Sequence, residues 1–470
     1  MRALIITSFV CASALTGCKL YSVIQSDTET MNAADLQVKH VYQIPEKNQS
    51  TSHLTRFNDP QLHQLIAVAL ADAPDMRSAK ARVARARQQV KGAWSALWPS
   101  LGLKGYLAED HFSFQGTVPP PFNELIFNKA SLADLALNFN YELDFWGKNR
   151  EALASKLSET YAAQMDQNET RLLLSSAVTN AYFELQNNIM QLRLAKENVL
   201  LQQELESIVI DRTKQGIESD IPLNTAISDT QSAHNSIEEF QRAEMQSRHR
   251  LAVLLGKNPF NTQINTAKFT YSKKQVALPA IIPANVLAHR PDISAARALT
   301  EAAAHQINVA RAAFFPNINL SGLLSLQSFY FTRLFNVSFQ TEGVKAAVDL
   351  PIFDAGARRA NLGIKHADFE LAVNRYNQSI LNALQEVADQ MITIQTLDKQ
   401  IQDQAKAFNT THANYKLFLS RYTQGIIDYV QLIEIKQVLL KQKVLLYNLQ
   451  TRQKQAVVAL LAALGGEVSI

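Results

Sequence analysis

Three stretches of this chain alternate apolar and polar residues with a period of two. Leu135, Leu137, Phe139, Tyr141, Leu143 and Phe145 interleave with Ala136, Asn138, Asn140, Glu142 and Asp144. Ile318, Leu320, Gly322, Leu324 and Leu326 interleave with Asn319, Ser321, Leu323, Ser325 and Gln327. Val344, Ala346, Val348, Leu350 and Ile352 interleave with Lys345, Ala347 and Asp349. Side chains of a strand point alternately to two faces, so each stretch predicts a strand with one apolar and one polar face. Four strands are expected, near 101–114, 133–146, 317–328 and 341–353. A membrane strand needs ~9–11 residues of this kind, and a half-buried soluble strand has the same period, so alternation alone leaves both open.

The rest of the pattern is helical. From Asn149 to Gln215 there is neither proline nor glycine, and between Gly356 and Gly425 only Gly363 intervenes. Helices of that length run on the order of 100 Å and need a continuous partner seam. One seam recurs every seven residues at Ile380, Val387, Ile394, Ile401, Phe408, Tyr415 and Tyr422, another at Val178, Leu185, Leu192 and Val199. Such a repeat imposes left-handed supercoiling, and an antiparallel coiled-coil rod is the plain alternative. Shorter helices are expected near 60–97, 221–256, 285–313 and 430–464. Stacked end to end in pairs, they would run beside the long ones.

The chain is written twice. Pro74-Asp75 returns 217 positions later as Pro291-Asp292, Trp98-Pro99 as Phe315-Pro316, and Leu101, Leu103 and Gly105 as Ile318, Leu320 and Gly322. Further on the offset is 209: Arg212, Gln215, Gly216 and Ile217 return as Arg421, Gln424, Gly425 and Ile426, and Leu255-Gly256 as Leu464-Gly465. The units are read as 57–257 and 284–466, joined by a linker at 258–283, each ordered helix, strand, strand, long helix, helix. A fixed internal period decides the fold before length does. The expected class is mainly α with a β portion. Four strands with unpaired edges cannot face lipid, so strands that cross a membrane require oligomerisation, to eight as a dimer or twelve as a trimer.

The N-terminus adds an address. Arg2 and the short apolar run Ala3 to Leu15 precede Leu15-Thr16-Gly17-Cys18, a secretory signal at 1–17 too short to span a bilayer. The last four residues resemble the bacterial lipobox, after which Cys18 carries lipid; residues 18–56 read as a tether. Cys11 lies inside the signal, which excludes a disulfide framework and a cysteine metal site. With 46 basic and 42 acidic residues the chain is near balance, and nothing points to nucleic acid. The ten histidines are scattered, with no His-Glu-x-x-His, Gly-x-Ser-x-Gly or phosphate loop, so no enzyme, metal site or cofactor beyond the lipid on Cys18 is expected. Arg82, Arg85, Arg87 and Lys91 make a basic face, solvated or meeting anionic groups. Trp98, Trp146, Phe315 and Phe353 flank the strands as an interfacial belt or as junction packing.

Several motifs together resemble one family. Phe57-Asn58-Asp59-Pro60 with Leu62 and Leu65-Ile66, His289-Arg290-Pro291-Asp292-Ile293, Ala310-Arg311-Ala312-Ala313-Phe314-Phe315-Pro316, and Leu350-Pro351-Ile352-Phe353-Asp354-Ala355-Gly356 resemble the TolC-like outer-membrane efflux proteins, in their lipoprotein branch. The resemblance covers almost all of the mature chain. It implies a homotrimer in the outer membrane of a Gram-negative bacterium, with a twelve-stranded transmembrane β-barrel continued by a periplasmic α-barrel. It implies a periplasmic adaptor, an RND-type inner-membrane pump and a cargo of drugs, metals or other toxic compounds. A protein-secretion outlet of the same fold and a poreless lipid-anchored coiled-coil scaffold are the other readings.

A gate belongs at the far ends of the long helices, where tilting loses least packing. Those ends, around the turns at Gly216 and Gly425, carry Arg212, Glu218, Asp220, Arg421, Tyr422, Asp428 and Glu434. In a trimer each inward acid becomes a ring of three like charges, and Arg–carboxylate links suit a closed mouth. The resemblance implies a constriction at these turns; Ile426 and Ile427 after Gly425 point to a lock of this chain's own.

Overall fold

The structure, a computed structural model, describes residues 57, 59–111, 129–261, 264, 290–329, 331–336, 338 and 340–466. Cys18, the tether, most of the linker and residues 112–128 lie outside them. The element order is α1 (Pro60–Asp72), α2 (Pro74–Ser95), β1 (Ser100–His111), β2 (Lys129–Leu143), α3 (Lys148–Lys214), α4 (Asp220–Leu254), α5 (Pro291–Ala312), β3 (Asn317–Ser328), β4 (Gln340–Asp349), α6 (Ala357–Thr423) and α7 (Tyr429–Ala463). α2 and α5 have 22 residues each, α3 and α6 have 67, α4 and α7 have 35. No helix among the described residues is long and apolar enough to cross a membrane.

The helix expected over 60–97 is two. Ala73 precedes Pro74, whose ring drives its neighbour to extended backbone, and Ala73 sits at φ −62°, ψ 135°. α1 begins at the Asp59 cap, whose carboxylate accepts from the Gln61 and Leu62 amides at 3.0 and 3.2 Å, with Pro60 in the first turn. α4 ends against the break. A Cβ on Gly256 would stand 2.7 Å from the Asp72 carbonyl oxygen and 3.2 Å from Ala73 Cα, and φ there is +69°. The second copy repeats the device, with Gly465 (φ +80°) against Arg290 where α5 starts. Thus α4 abuts the start of α2, and α7 the start of α5, while α1 lies alongside.

The strands form one antiparallel sheet in the order β1-β2-β3-β4. Leu103 pairs with Leu137, Leu137 with Leu324, and Ile318 with both Leu143 and Val348. Paired residues share a face. The register therefore carries one apolar surface across all four strands, with Asn138, Asn140, Glu142, Asn319, Ser321, Lys345 and Asp349 opposite. β2 stops at Leu143, before the Gly147 turn at φ +79°. β4 stops at Asp349 because Pro351 has no amide to donate.

The chain forms two compact units. One holds the sheet with Arg85–Tyr161 and Arg297–Tyr376. Here α5 lies between α3 and α6. His305 Nδ1 and Asn308 Nδ2 reach Glu151 at 2.7 and 3.1 Å, Gln306 donates to Ser155 at 2.9 Å, and Ile307 and Ala310 pack on Leu362. The other unit holds α1, Ala162–Ala296 and the chain from Asn377. Its helices form a row. α4 meets α3 through Asn188 and Ser247 (2.6 Å), α3 meets α7 through Asn187 and Asn448 (2.9 Å), and α7 meets α6 through Gln404 and Gln442 (2.6 Å). Leu62, Ile66, Val178, Tyr182, Leu185, Leu251 and Val458 make its core. The row ends at α4 on one side and α6 on the other, as the sheet ends at β1 and β4.

Candidate gate at the hairpin tips

Each long helix ends in the same turn. Gly216 and Gly425 both take φ +71°. Ile217 donates to the Arg212 carbonyl and Ile426 to that of Arg421, each at 2.9 Å, a glycine-closed helix end. The next helices start differently. Asp428 caps α7, accepting from the Gln431 amide at 3.0 Å, whereas Ser219, its counterpart, makes no side-chain cap on α4.

Arg212 joins the two turns. Its Nη1 donates to Glu218 at 3.1 Å and its Nη2 to Asp428, 216 residues away, at 2.9 Å. These bonds push the guanidinium pKa up, Asp428 first and Glu218 second. The Gln431 amide and then Arg212 hold Asp428 below the usual carboxylate range. The planar fork of arginine suits two carboxylates at once. Tyr422 and Tyr429 pack with ring centroids 5.3 Å apart, and the Tyr429 hydroxyl donates to Glu204 at 3.0 Å.

Of the residues named from sequence, Arg212, Glu218 and Asp428 form one cluster, and Tyr422 joins Tyr429 and Glu204 beside it. Arg421, Asp220 and Glu434 are exposed, with no ion pair among the described residues. Arg421 occupies in the second copy the place of Arg212, but there Ile427 replaces Glu218 and Ser219 replaces Asp428. Glu204 and Tyr429 lay outside the sequence-derived set. Tyr429, seven residues after Tyr422, was the available signal; Glu204 had none nearer than the second turn before Arg212.

A family model described as outer membrane efflux protein matches residues 65–257 and 282–466. The chain belongs to the outer membrane efflux protein family. Among its relatives, the cation efflux system protein CusC of Escherichia coli K12 is 28% identical over 461 residues, 97% of this chain and 98% of CusC. The multidrug resistance outer membrane protein MdtQ of Escherichia coli O6:H1 is 29% identical over 362 residues, 74% of either chain. A crystal structure of CusC superposes with a TM-score of 0.78 at 27% identity, covering 91% of this chain and 99% of CusC. That of the outer membrane protein VceC from Vibrio cholerae gives 0.77 at 29%, covering 89% and 100%. The family places the protein in the Gram-negative outer membrane as an efflux channel, which sets aside the poreless scaffold. The family consists of channel proteins.

Proposed function

We propose that three copies of this chain close into one passive exit duct. The observation that carries this reading is the sheet: a register-matched apolar face ends at two unpaired edges, β1 and β4, with Leu101 67%, Leu103 67%, Val344 83% and Val348 68% exposed. In lipid every backbone group needs a partner, so β4 of one copy pairs with β1 of the next, and three copies give twelve strands. The apolar face then meets lipid and the polar face lines the lumen. The row of helices closes likewise, α6 of one copy against α4 of the next, as the periplasmic tunnel.

The duct carries no energy source, so an RND-type inner-membrane pump and a periplasmic adaptor complete the system, and the pump selects the cargo. CusC is named for cation efflux and MdtQ for multidrug resistance, which supports small toxic solutes as the cargo class here. Lipid on Cys18 anchors the chain. The tips are the gate. Arg212 clamps the two hairpins of one copy through Asp428, whereas the counterpart positions at Arg421 hold Ser219 and Ile427, so the seam between copies closes without that pair. Planar-bilayer recording on the purified protein tests this reading. Discrete single-channel currents from a three-chain species support it, and a non-conducting single chain refutes it.

A further inference from the structure

The sheet repeats its own pairing. Offsets of 217 from β1 and 209 from β2 turn β1–β2 pairs into β3–β4 pairs: Leu101–Phe139 becomes Ile318–Val348, and Leu103–Leu137 becomes Leu320–Ala346. The internal repeat is thus one of strand register as well as of sequence. The same offsets carry the central β2–β3 pairing onto the seam where β4 of one copy meets β1 of the next. There Leu143–Ile318 becomes Ile352–Leu101, and Asn140–Ser321 becomes Asp349–Lys104.

The polar face differs between these two seams. Inside the chain Asn140 and Ser321 are uncharged; at the open edges their counterparts are an acid and a base. Asp349 and Lys104 are both exposed, and neither forms an ion pair among the described residues. Their partners within the sheet are Asn317 and Ala136, so neither charge is met across its own strand pair.

Alternation cannot choose the register at the open edges. A slip of two residues leaves every side chain on its face, so the apolar surface survives it. In the two neighbouring registers Lys104 stands opposite Ala347 or Pro351, and Asp349 opposite Gly102 or Tyr106. A slip of four sets Lys104 against Lys345. Opposite charges directly across a strand pair stabilise it and like charges destabilise it.

We propose that Asp349 of one copy pairs with Lys104 of the next on the polar face, and that this ion pair selects the register in which copies join. The partner surface is a second copy of this chain. Three such pairs then ring the lumen at the end of the sheet from which α6 leaves. The inference rests on the three-copy reading and goes beyond it, by naming the charges that align the seam.

Full-length protein is purified from membranes with each charge reversed, Lys104→Asp or Asp349→Lys, and with both. The share of chains that leave the assembly in warm dodecyl sulfate is read on gels. Each single reversal sets like charges in all three seams and should raise that share about tenfold; the exchanged pair should return it to the native value. Single variants that hold as firmly as the native chain, or an exchanged pair no better than either single variant, overturn the proposal. Cysteines read the register without any reversed charge. Lys104→Cys/Asp349→Cys should form a disulfide between copies, and Lys104→Cys/Ala347→Cys, one same-face slip away, should not; the opposite order of yields also overturns it. Native protein that runs as a single chain defeats the three-copy reading, whereas a native trimer without rescue defeats the ion pair alone.

Discussion

Arg212 and Asp428, one at the end of each hairpin's first helix and start of the other's second, meet at 2.9 Å across 216 residues of chain. This link separates two kinds of contact at the tips. Within the chain a guanidinium serves two carboxylates. At the counterpart arginine, Arg421, the equivalent positions hold Ser219 and Ile427. The two hairpins of one copy are thus tied by an ion pair that the sequence does not repeat at the other seam.

Asp428 does two jobs, and they can be separated. Asp428→Ser keeps a helix cap and loses the ion pair, whereas Asp428→Ala loses both. An exposed pair contributes below about 1 kcal/mol and a cap about 1 kcal/mol. Both variants should raise the single-channel current, and only Asp428→Ala should lower the melting temperature. An unchanged current in both argues against the gate. The pair needs the ionised carboxylate. Asp428's folded pKa lies below its unfolded value, so the stabilisation is complete above about pH 4 and is lost as pH falls through the depressed value. Mild acidification to pH 5.5 should leave the current unaltered.

Glu169 has the opposite sign. Burial, then Asp292, and further Glu386 and Asp166 push its carboxyl up to about 7 against the opposing pull of Arg290. Its folded state binds the proton more tightly than the unfolded chain, so stability falls as pH rises from 4.5 towards 7. Glu169→Gln should stabilise the protein at pH 8, by on the order of 1 kcal/mol, and have little effect at pH 5. Equal gains at both pH values would contradict this.

His366 is buried in α6 with neither ring nitrogen hydrogen-bonded among the described residues, and burial and then Arg311 hold its pKa down. The neutral ring is favoured in the fold, so stability is lost as pH drops below about 6.5. The first copy has Leu157 at this position. His366→Leu should stabilise by about 1–3 kcal/mol and flatten the acid limb of the melting curve. A loss of stability would mean that the imidazole is satisfied.

Gly256 is fixed twice over, by a positive φ and by the carbonyl of Asp72. Gly256→Ala should destabilise by more than about 1 kcal/mol, whereas Gly216→Ala, with the same φ and open space around it, should lose only the backbone preference of about 1 kcal/mol. Denaturant midpoints of the two variants make the comparison.

The strand faces were legible because alternation encodes them directly, and the sheet's register set them side by side. The helix ends were legible from glycine. The break at Ala73 was written in Pro74 but hidden by the apolar pattern running through it. The Arg212–Asp428 and Tyr429–Glu204 contacts were not legible, because they join residues more than 200 positions apart. The Arg290-Pro291-Asp292 motif marked the family, yet its arginine binds Asp292, Glu386 and the Ala463 carbonyl, at 2.7–3.0 Å, holding helix ends together.

The closure of the sheet between copies can be read most directly by a disulfide. Within the chain Leu143 pairs with Ile318; the repeat, at offsets of 209 and 217, puts Ile352 in the place of the first and Leu101 in that of the second, which sets Ala346 of one copy opposite Leu107 of the next. Leu107→Cys/Ala346→Cys, oxidised in the membrane, should give a ladder on denaturing gels that stops at three chains. A product that remains a single chain, or a ladder that runs on without limit, would contradict the channel.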